Sequence, residues 1–566
     1  MICARRRNLV VVAVVVLLPR HAFSFSKGLA PSTTARASRD RSRSHGLAKM
    51  KTISSGSGDS YKKGKILEPL AAGVRRDFSS RLPFYKSDLV DGLNAQCLAT
   101  VLFLFFACLA PAVGFGGILH VATNGAMGAM EMVTSTALCG VLYALLAPQP
   151  IQLIGPMGPN LAFTISLAQL AKQYTLPLLP LYAWTGLWTS GFLLISALTS
   201  TSNIVQHLTR FTDEIFSVLI SAIFLFEAVT NVARPFGDAS SSASTALLTL
   251  TCAVVTFGSA LVLKGLKTSI CFTKSIRNNL SNFAPAIGVL LGSLVARVAR
   301  LHYGILLPVL SLPATSFATT TGRPWLVPLL DLPIWARWGV ALPAALLATV
   351  LLFLDQNITA RLVNNPRYKM TKGRDTENVL DGMHGDMLVL SGLTALTSML
   401  GLPWMAGATT RSAAHVRSLS VVNDKGEITK TIENRVSGAA IHALIGACVL
   451  FRGPRLLLAQ VPLPVLSGVF LYLGFTSLQG LELWDRICGL FHDASVAPPT
   501  RWSNQSVKTT TLFTLVQMAC VASMMRVTKS QIGVISPLLI AMLPVLRVGL
   551  LKSGLVKKES MSLLDP

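Results

Sequence analysis

QPIQLIGPMGPNLAFTISLAQL, residues 149–170, and GLPWMAGATTRSAAHVRSL, residues 401–419, are the stretches on which the fold of this chain turns. Each opens on a helix-breaking run, Gly155-Pro156-Met157-Gly158-Pro159 in one and Gly401-Leu402-Pro403-Trp404 in the other. Proline lacks an amide proton and fixes its own backbone angle, so a helix cannot pass through either run undisturbed. The apolar segment that follows is in both cases shorter than the roughly 20 residues needed to cross a bilayer.

Outward from these two places, apolar runs between punctuating residues predict helices near 94–119, 121–147, 157–170, 177–200, 212–231, 244–264 and 282–302. A second set follows near 338–356, 385–400, 409–420, 435–452, 462–480, 509–527 and 530–549. The two short segments stand third in each set of seven. Interrupted hydrophobic segments at matching places in two halves are the mark of a transporter whose substrate site lies near the bilayer midplane. Because seven is odd, the second half must be inserted upside down relative to the first. The expected fold is therefore an all-α integral membrane protein of about fourteen spans in two inverted repeats, with helices 3 and 10 broken. Its repeats would cover 77–303 and 338–550, joined by a loop at 304–337 and followed by a tail at 551–566.

Composition leads to the same solvent. Of 566 residues, 51% are hydrophobic and only 13% charged, with a mean hydropathy of +0.56, too little charge to cover a soluble globule of this size. In lipid, each unpaired backbone amide costs several kcal/mol, which leaves closed helices as the spanning element here. The formal charge of +25 has to be located before it is interpreted. Residues 1–76 hold 16 Lys plus Arg against 3 Asp plus Glu, which is about half of the excess. The rest gathers in loops, such as Lys264, Lys267, Lys274 and Arg277, then Arg361, Arg367, Lys369, Lys372 and Arg374. That is the distribution of a positive-inside membrane protein and not of a nucleic-acid-binding one. The basic connections after helices six and eight, with Lys552, Lys557 and Lys558 of the tail, would share the side of the N-terminus. The nine cysteines are scattered without a CxxC pair, so neither a disulfide framework nor a resident metal is expected. With no metal-ligand spacing, phosphate-binding loop or nucleophile motif, an enzyme is excluded and no cofactor is called for.

Residues 1–76 read as targeting sequence. Arg5 to Arg7 form a basic start and Asn8 to Leu18 a short apolar core, as in a secretory signal. The Ser-, Thr- and Arg-rich stretch from Pro31 to Lys51 has transit-peptide composition. The Ala22-Phe23-Ser24-Phe25 junction resembles that of two-part presequences of algae with secondary plastids. This points to a plastid envelope; an ordinary secretory signal and a plasma-membrane location are the alternative.

Seven segments in order resemble the bicarbonate transporter family, which includes band 3-type anion exchangers, sodium-bicarbonate cotransporters and plant borate exporters. They are PAVGFGGILH (111–120), QPIQLIGPMGP (149–159), RFTDEIFSVLISAIF (210–224), FLDQNITARLVN (353–364), GLPWMAGATTRSAAHVRSL (401–419), ENRVSG (433–438) and VFLYLGFTSLQGLELWDRI (469–487). The resemblance implies a core domain of helices 1–4 and 8–11 and a gate domain of helices 5–7 and 12–14. It also implies an elevator-like shift of core against gate, and a homodimer joined through the gates. The function implied is secondary active transport of bicarbonate or another small inorganic anion, by exchange or by sodium-coupled cotransport. Borate export is the alternative. The large soluble N-terminal domain of the animal exchangers is not expected in this chain.

The candidate site follows from both readings. Two facing half-helix N-termini offer unpaired amides and the positive ends of helix dipoles to an anion. Gly158, Pro159 and Asn160 stand at the first, and Thr409, Thr410, Arg411 and Ser412 at the second. The hydroxyls there can cap the helix, while Arg411 brings a donor fork suited to an oxyanion and matches the helix-ten arginine of the band 3-type exchangers. Asp355 and Thr359 lie one turn apart on one face of helix eight. In sodium-coupled family members this pair ligates sodium, so Na+ is the candidate cation there, with H+ and Cl− as further coupling ions. The structural alternative is an ion pair between Asp355 and Arg411. Glu131, Glu214, Glu227, His384 and Asp386 match family acids and a His-x-Asp at the start of helix nine, with gating or structural roles. Asn282 stands where the family commonly carries an acid.

Overall fold

A computed structural model describes residues 69–565 apart from 208, 239–240, 267–268, 270–271, 310–317, 375–381, 423–427, 459, 480, 490–504, 529, 531–535, 554–555, 557–559 and 562–563. All of these fall in the larger of two units, 63–566. The expected signal and transit segments lie outside the described residues, as do residues 310–317 of the connection expected at 304–337.

Two short polar helices come first, α1 (Ala72–Arg81) and α2 (Tyr85–Val90). They are followed by α3 (Ala95–Ala122), α4 (Ala129–Leu146), strand β1 (Ile154–Gly155), α5 (Gly158–Gln173), α6 (Leu178–Leu198), α7 (Arg210–Gly237), α8 (Ala243–Gly265), α9 (Lys274–Asn282) and α10 (Ala284–Tyr303). Beyond the connection come α11 (Leu342–Val363), α12 (Met383–Met399), strand β2 (Ala406–Gly407), α13 (Thr409–Leu419), strands β3 (Ser420–Val422) and β4 (Ile428–Thr431), and α14 (Val436–Leu450). The chain ends with α15 (Arg452–Leu458), α16 (Leu463–Leu478), α17 (Glu482–Gly489), α18 (Val507–Thr528) and α19 (Ser536–Lys552). A helix thus occupies each of the fourteen places expected from the sequence. Among the described residues, 7 helices are long and apolar enough to cross a membrane, and α16 with α17, bent by 86°, would make an eighth.

Three of the boundaries that differ from expectation have a local reason. The second helix begins at Ala129 and not near 121, because Asn124 and Gly125 take left-handed backbone angles of 52° and 83° and turn the chain. Helix eight runs on to Val363, through Asp355 and Thr359, because the polar run after Phe353 is buried and helically bonded. Helix α1 crosses the boundary expected at residue 76. Asp77 accepts the amides of His384 and Gly385 at 2.9 Å each, and the Ala71 amide donates to Leu198 O at 2.7 Å, so residues 72–76 belong to the folded part.

Neighbours in space are far apart in sequence. Helix α6 packs on α11 and α12, and α4 packs on α3 and α14, with α13 against α3. Helix α16 packs on α7 and α8, and α10 on α8. A buried ionic cluster fastens the polar start to the rest. Arg81 bonds Asp88 and Glu433, both at 2.8 Å, while Lys372 and Arg435 also reach Asp88, at 3.1 and 3.4 Å. Arg435 donates to the carbonyls of Ala144, Leu145 and Ala147 at 2.7–3.1 Å, which closes the C-terminal end of α4.

Candidate functional site

The two breaker runs meet. Strand β1 pairs antiparallel with β2, Ile154 opposite Gly407 and Gly155 opposite Ala406, and the Ala408 amide donates to Leu153 O at 2.8 Å. Each strand leads directly into a half-length helix, α5 after Pro156 and Met157, and α13 after Ala408. No side chain caps either start. The hydroxyls expected to cap α13 do other work. Ser412 Oγ accepts from the Leu153 amide at 2.9 Å and donates to Leu153 O at 3.0 Å. Thr409 Oγ1 shares a 2.8 Å hydrogen bond with Thr359 Oγ1, and Thr359 Oγ1 donates to Gly407 O at 3.1 Å. No described side chain takes up the first-turn amides of either helix.

Glycine makes the crossing close enough. A Cβ on Gly407 would fall 2.7 Å from Gln152 Nε2, 2.8 Å from Thr359 Cβ and 2.9 Å from Asp355 O, so β2 lies directly on α11. A Cβ on Gly155 would fall 2.8 Å from Arg411 Nη1 and 3.2 Å from its Cζ, so the guanidinium rests on the β1 backbone.

Arg411 is 2% exposed. Its Nη2 donates to Pro156 O at 2.5 Å and reaches Met157 Sδ at 3.7 Å, and the thiol of Cys108 on α3 lies against it. Among the described residues, Nε and Nη1 have no hydrogen-bond partner. Buried donors are normally satisfied, and leaving one unmade costs about 1–3 kcal/mol, more for a charged group. Asp355 is an acidic group in the same condition, wholly buried with neither carboxyl oxygen partnered among the described residues. The ion pair with Arg411 that would have made both residues structural does not form. Asn160, in the first turn of α5, has both side-chain polar atoms buried without partners. Gln152 Oε1, Gln356 Oε1 and Asn357 Oδ1 are likewise unsatisfied.

The remaining predicted residues divide. Gly158 and Pro159 open α5, with Gly158 close enough to α7 that a Cβ there would lie 3.0 Å from Ile223. Thr410 is half-buried in the first turn of α13. Glu131 is at the start of α4, where it accepts from the Gly128 amide at 2.8 Å and the Thr320 amide at 2.7 Å; it ties the 318–333 connection to that helix. Glu214 accepts from Arg486 Nη2 at 2.8 Å and joins α7 to α17. His384 and Asp386 stand at the start of α12, where Asp386 Oδ1 accepts the Gln149 amide at 2.9 Å. These four stand outside the strand crossing. Glu227 lies within α7, and the side chain of Asn282 is outside the described set.

Several residues that build the crossing have no mark in the sequence. Tyr182 stacks on Trp404, centroids 4.3 Å apart, and its hydroxyl accepts the Trp404 amide at 2.9 Å. Ser135 donates to Pro403 O at 2.6 Å. His415 bonds Ile151 O at 2.6 Å and Ser437 Oγ at 2.8 Å, and His442 reaches Ile154 O at 3.2 Å. Of these, Ile151, Ile154, Pro403, Trp404 and His415 lie inside the two deciding stretches, whereas Ser135, Tyr182, Ser437 and His442 carried no positional signal.

Comparison with known proteins gives this geometry a setting. The sequence profile of the HCO3- transporter integral membrane domain matches residues 69–244 and 237–566. Band 3 anion transport protein of Rattus norvegicus is 34% identical over 479 residues, which is 80% of this chain and 50% of that protein. The sodium-driven chloride bicarbonate exchanger of Bos taurus is 31% identical over 572 residues, 88% of this chain and 50% of that protein. The chain thus spans about half the length of these curated relatives. Among solved structures, the murine Solute Carrier 26 family member A9 anion transporter in its inward-facing state superimposes with a TM-score of 0.54 at 12% identity, over 83% of this chain and 69% of that one. A structure of SLC26A9 gives 0.52 at 14% identity, over 84% of this chain and 68% of that one. At that identity the likeness speaks for the fold alone.

Proposed function

Since this chain belongs to the bicarbonate transporter family, a family of carriers and not of enzymes, we propose that it moves bicarbonate across a bilayer by secondary active transport, binding it where β1 crosses β2. The observation that carries this reading is Arg411, a buried cation with Nε and Nη1 unpartnered between the uncapped starts of two half-helices. A small planar oxyanion supplies what those groups lack, and the absence of a fixed counter-ion lets the site release it again. Boric acid is neutral near neutral pH and would leave the guanidinium uncompensated, which disfavours the borate alternative.

The fourteen helices form two inverted repeats of seven in this reading, with β1–α5 and β2–α13 as equivalent broken elements. Packing supports a core of α3–α6 and α11–α14 against a gate of α7, α8, α10, α16, α18 and α19. Where core meets gate the contact includes packed phenyl rings. Phe115 of α3 lies 6.0 Å from Phe224 of α7 and 5.8 Å from Phe470 of α16, ring centre to centre. Such a face lets the core slide past the gate, carrying its site from one side to the other. Two copies join through their gates.

Asp355 and Thr359 hold the coupling cation. Two carboxylate oxygens without partners suit a hard cation such as Na+. Uptake of labelled bicarbonate into proteoliposomes, with and without a sodium gradient, tests both parts. Flux that needs sodium in the wild type and loses that need in Asp355→Glu supports the cotransport reading. Flux that instead follows a chloride gradient assigns exchange, and no bicarbonate flux under sodium, chloride or proton gradients sinks the function. The composition of the leader supports a plastid envelope as the location, with the plasma membrane as the alternative, and a fluorescent fusion retaining residues 1–76 would separate the two.

A further inference from the structure

We propose that His442 is a proton-binding positioning residue of the anion site, so that a proton is taken up together with the anion. This rests on Arg411 being the anion ligand.

His442 stands on α14, and its ring is wedged between α4 and β1. Nδ1 lies 2.8 Å from Gly438 O, one turn back on the same helix, and Nε2 lies 3.2 Å from Ile154 O of β1. Both partners are carbonyl oxygens, which only accept. A neutral imidazole has one N–H to give and sets its other nitrogen's lone pair against an acceptor; an imidazolium donates to both. The ring has little freedom to avoid this choice. A Cβ on Gly140 of α4 would fall 1.9 Å from His442 Cδ2 and 2.1 Å from its Cγ, so the ring lies flat on that backbone. His415 makes the contrast. Its Nδ1 faces Ile151 O and its Nε2 faces the Ser437 hydroxyl, which can donate, so its neutral form satisfies both.

The position of His442 links it to the site. Ile154 is paired with Gly407, and the next residue, Gly155, is the backbone on which the Arg411 guanidinium rests. A proton on His442 therefore pins the strand that seats the anion-binding group. Among the described residues, the charged and titratable groups acting on the ring are Arg411 and His415 of α13, with no carboxylate among them. From α4 it meets Gly140, while Tyr143 three residues on is engaged by Gln356 Nε2 at 2.7 Å. From α3, Cys108 lies against Arg411. In the empty site a second positive charge beside Arg411 is opposed; a bound anion balances it. Anion and proton then favour each other's binding, and the coupling is reciprocal.

The test uses the full chain and nitrate, a planar oxyanion that carries no proton near neutral pH. In weakly buffered solution near about pH 7.5, saturating nitrate should draw up to about one proton per protein, read with an indicator dye. Nitrate affinity, measured by competition with labelled bicarbonate flux, should weaken by up to about tenfold per pH unit as His442 loses its proton. His442→Gln should keep a weaker affinity that no longer varies with pH. Nitrate binding without proton uptake in the wild type overturns the proposal without needing any variant, and so does an unchanged pH slope in His442→Gln. Failure of nitrate to compete with a bicarbonate flux that persists also rejects it. Arg411→Gln separates the two levels: nitrate binding that survives in that variant removes the site reading itself, whatever His442 does.

Discussion

Arg411 and Asp355 are each an ionisable group that folding has buried with polar atoms left unpartnered among the described residues, and their energetics set their predicted behaviour. Arg411 keeps Nε and Nη1 unbonded, so its worth lies in what it binds and not in what it holds together. Arg411→Gln should leave the protein inserted in the membrane yet lower bicarbonate uptake by ~100-fold, the equivalent of about 3 kcal/mol for a hydrogen-bonded charge; tracer flux at matched protein density measures it. Asp355 carries the desolvation cost of its charge with neither oxygen partnered. Asp355→Asn removes that cost, so the empty protein should melt higher, by roughly 2 °C, while sodium-dependent uptake is lost. A variant that gains stability as it loses transport is what a functional buried charge produces. Thermal unfolding in detergent and flux in proteoliposomes give the two readings, and a fall in melting temperature would return Asp355 to a structural role. Gly155 is argued from space alone. A methyl group there would meet the guanidinium at 2.8 Å, so Gly155→Ala should weaken anion binding by about tenfold through displacement of Arg411.

The elements that matter most are the shortest. Strands β1 and β2 comprise two residues each, yet they join the two halves of the chain at the site and let two helix starts face it. Capping side chains would have filled the first-turn amides; here Ser412 and Thr409 bond Leu153 and Thr359, tying α13 to β1 and α11 while leaving the amides open. Arg435 does comparable work at the far end of α4, with three carbonyls, Asp88 and the ring of Tyr85, 4.6 Å away, gathered on one side chain. Arg435→Leu should cost about 3 kcal/mol, seen as a lower melting temperature and a smaller membrane-inserted yield, with the anion affinity of the surviving protein unchanged.

At the scale of the whole molecule, the polar start of the fold is fastened to its interior through Asp77, which lies ahead of the first apolar helix. Burial pushes its carboxyl up to about 7, against the hydrogen bonds from Gly385, Gly382 and His384 and the charge of Arg76, which pull it down. The folded protein then holds this proton more tightly than the unfolded chain does. Stability should therefore fall as pH rises from about 4 to about 7 and level off above that. Asp77→Asn should flatten that part of the profile in melting scans across this range. The fourteen apolar helices and their order were legible from residue 94 onward, though not the short α9, α15 and α17, because the length of an apolar run and the place of a proline or glycine are local properties that lipid and backbone geometry read directly. So were the candidate residues at the two broken starts, since helix breakers name their own positions. What sequence by itself determined is thus a membrane bundle with two interrupted helices, a lone arginine beside one of them and an aspartate inside another. Only the tertiary structure decided that β1 and β2 pair across some 250 residues, that Arg411 and Asp355 do not neutralise each other, and that His442 faces two acceptors. Partnership is a property of distance in space, and no pattern along the chain records which buried charge is left without a mate.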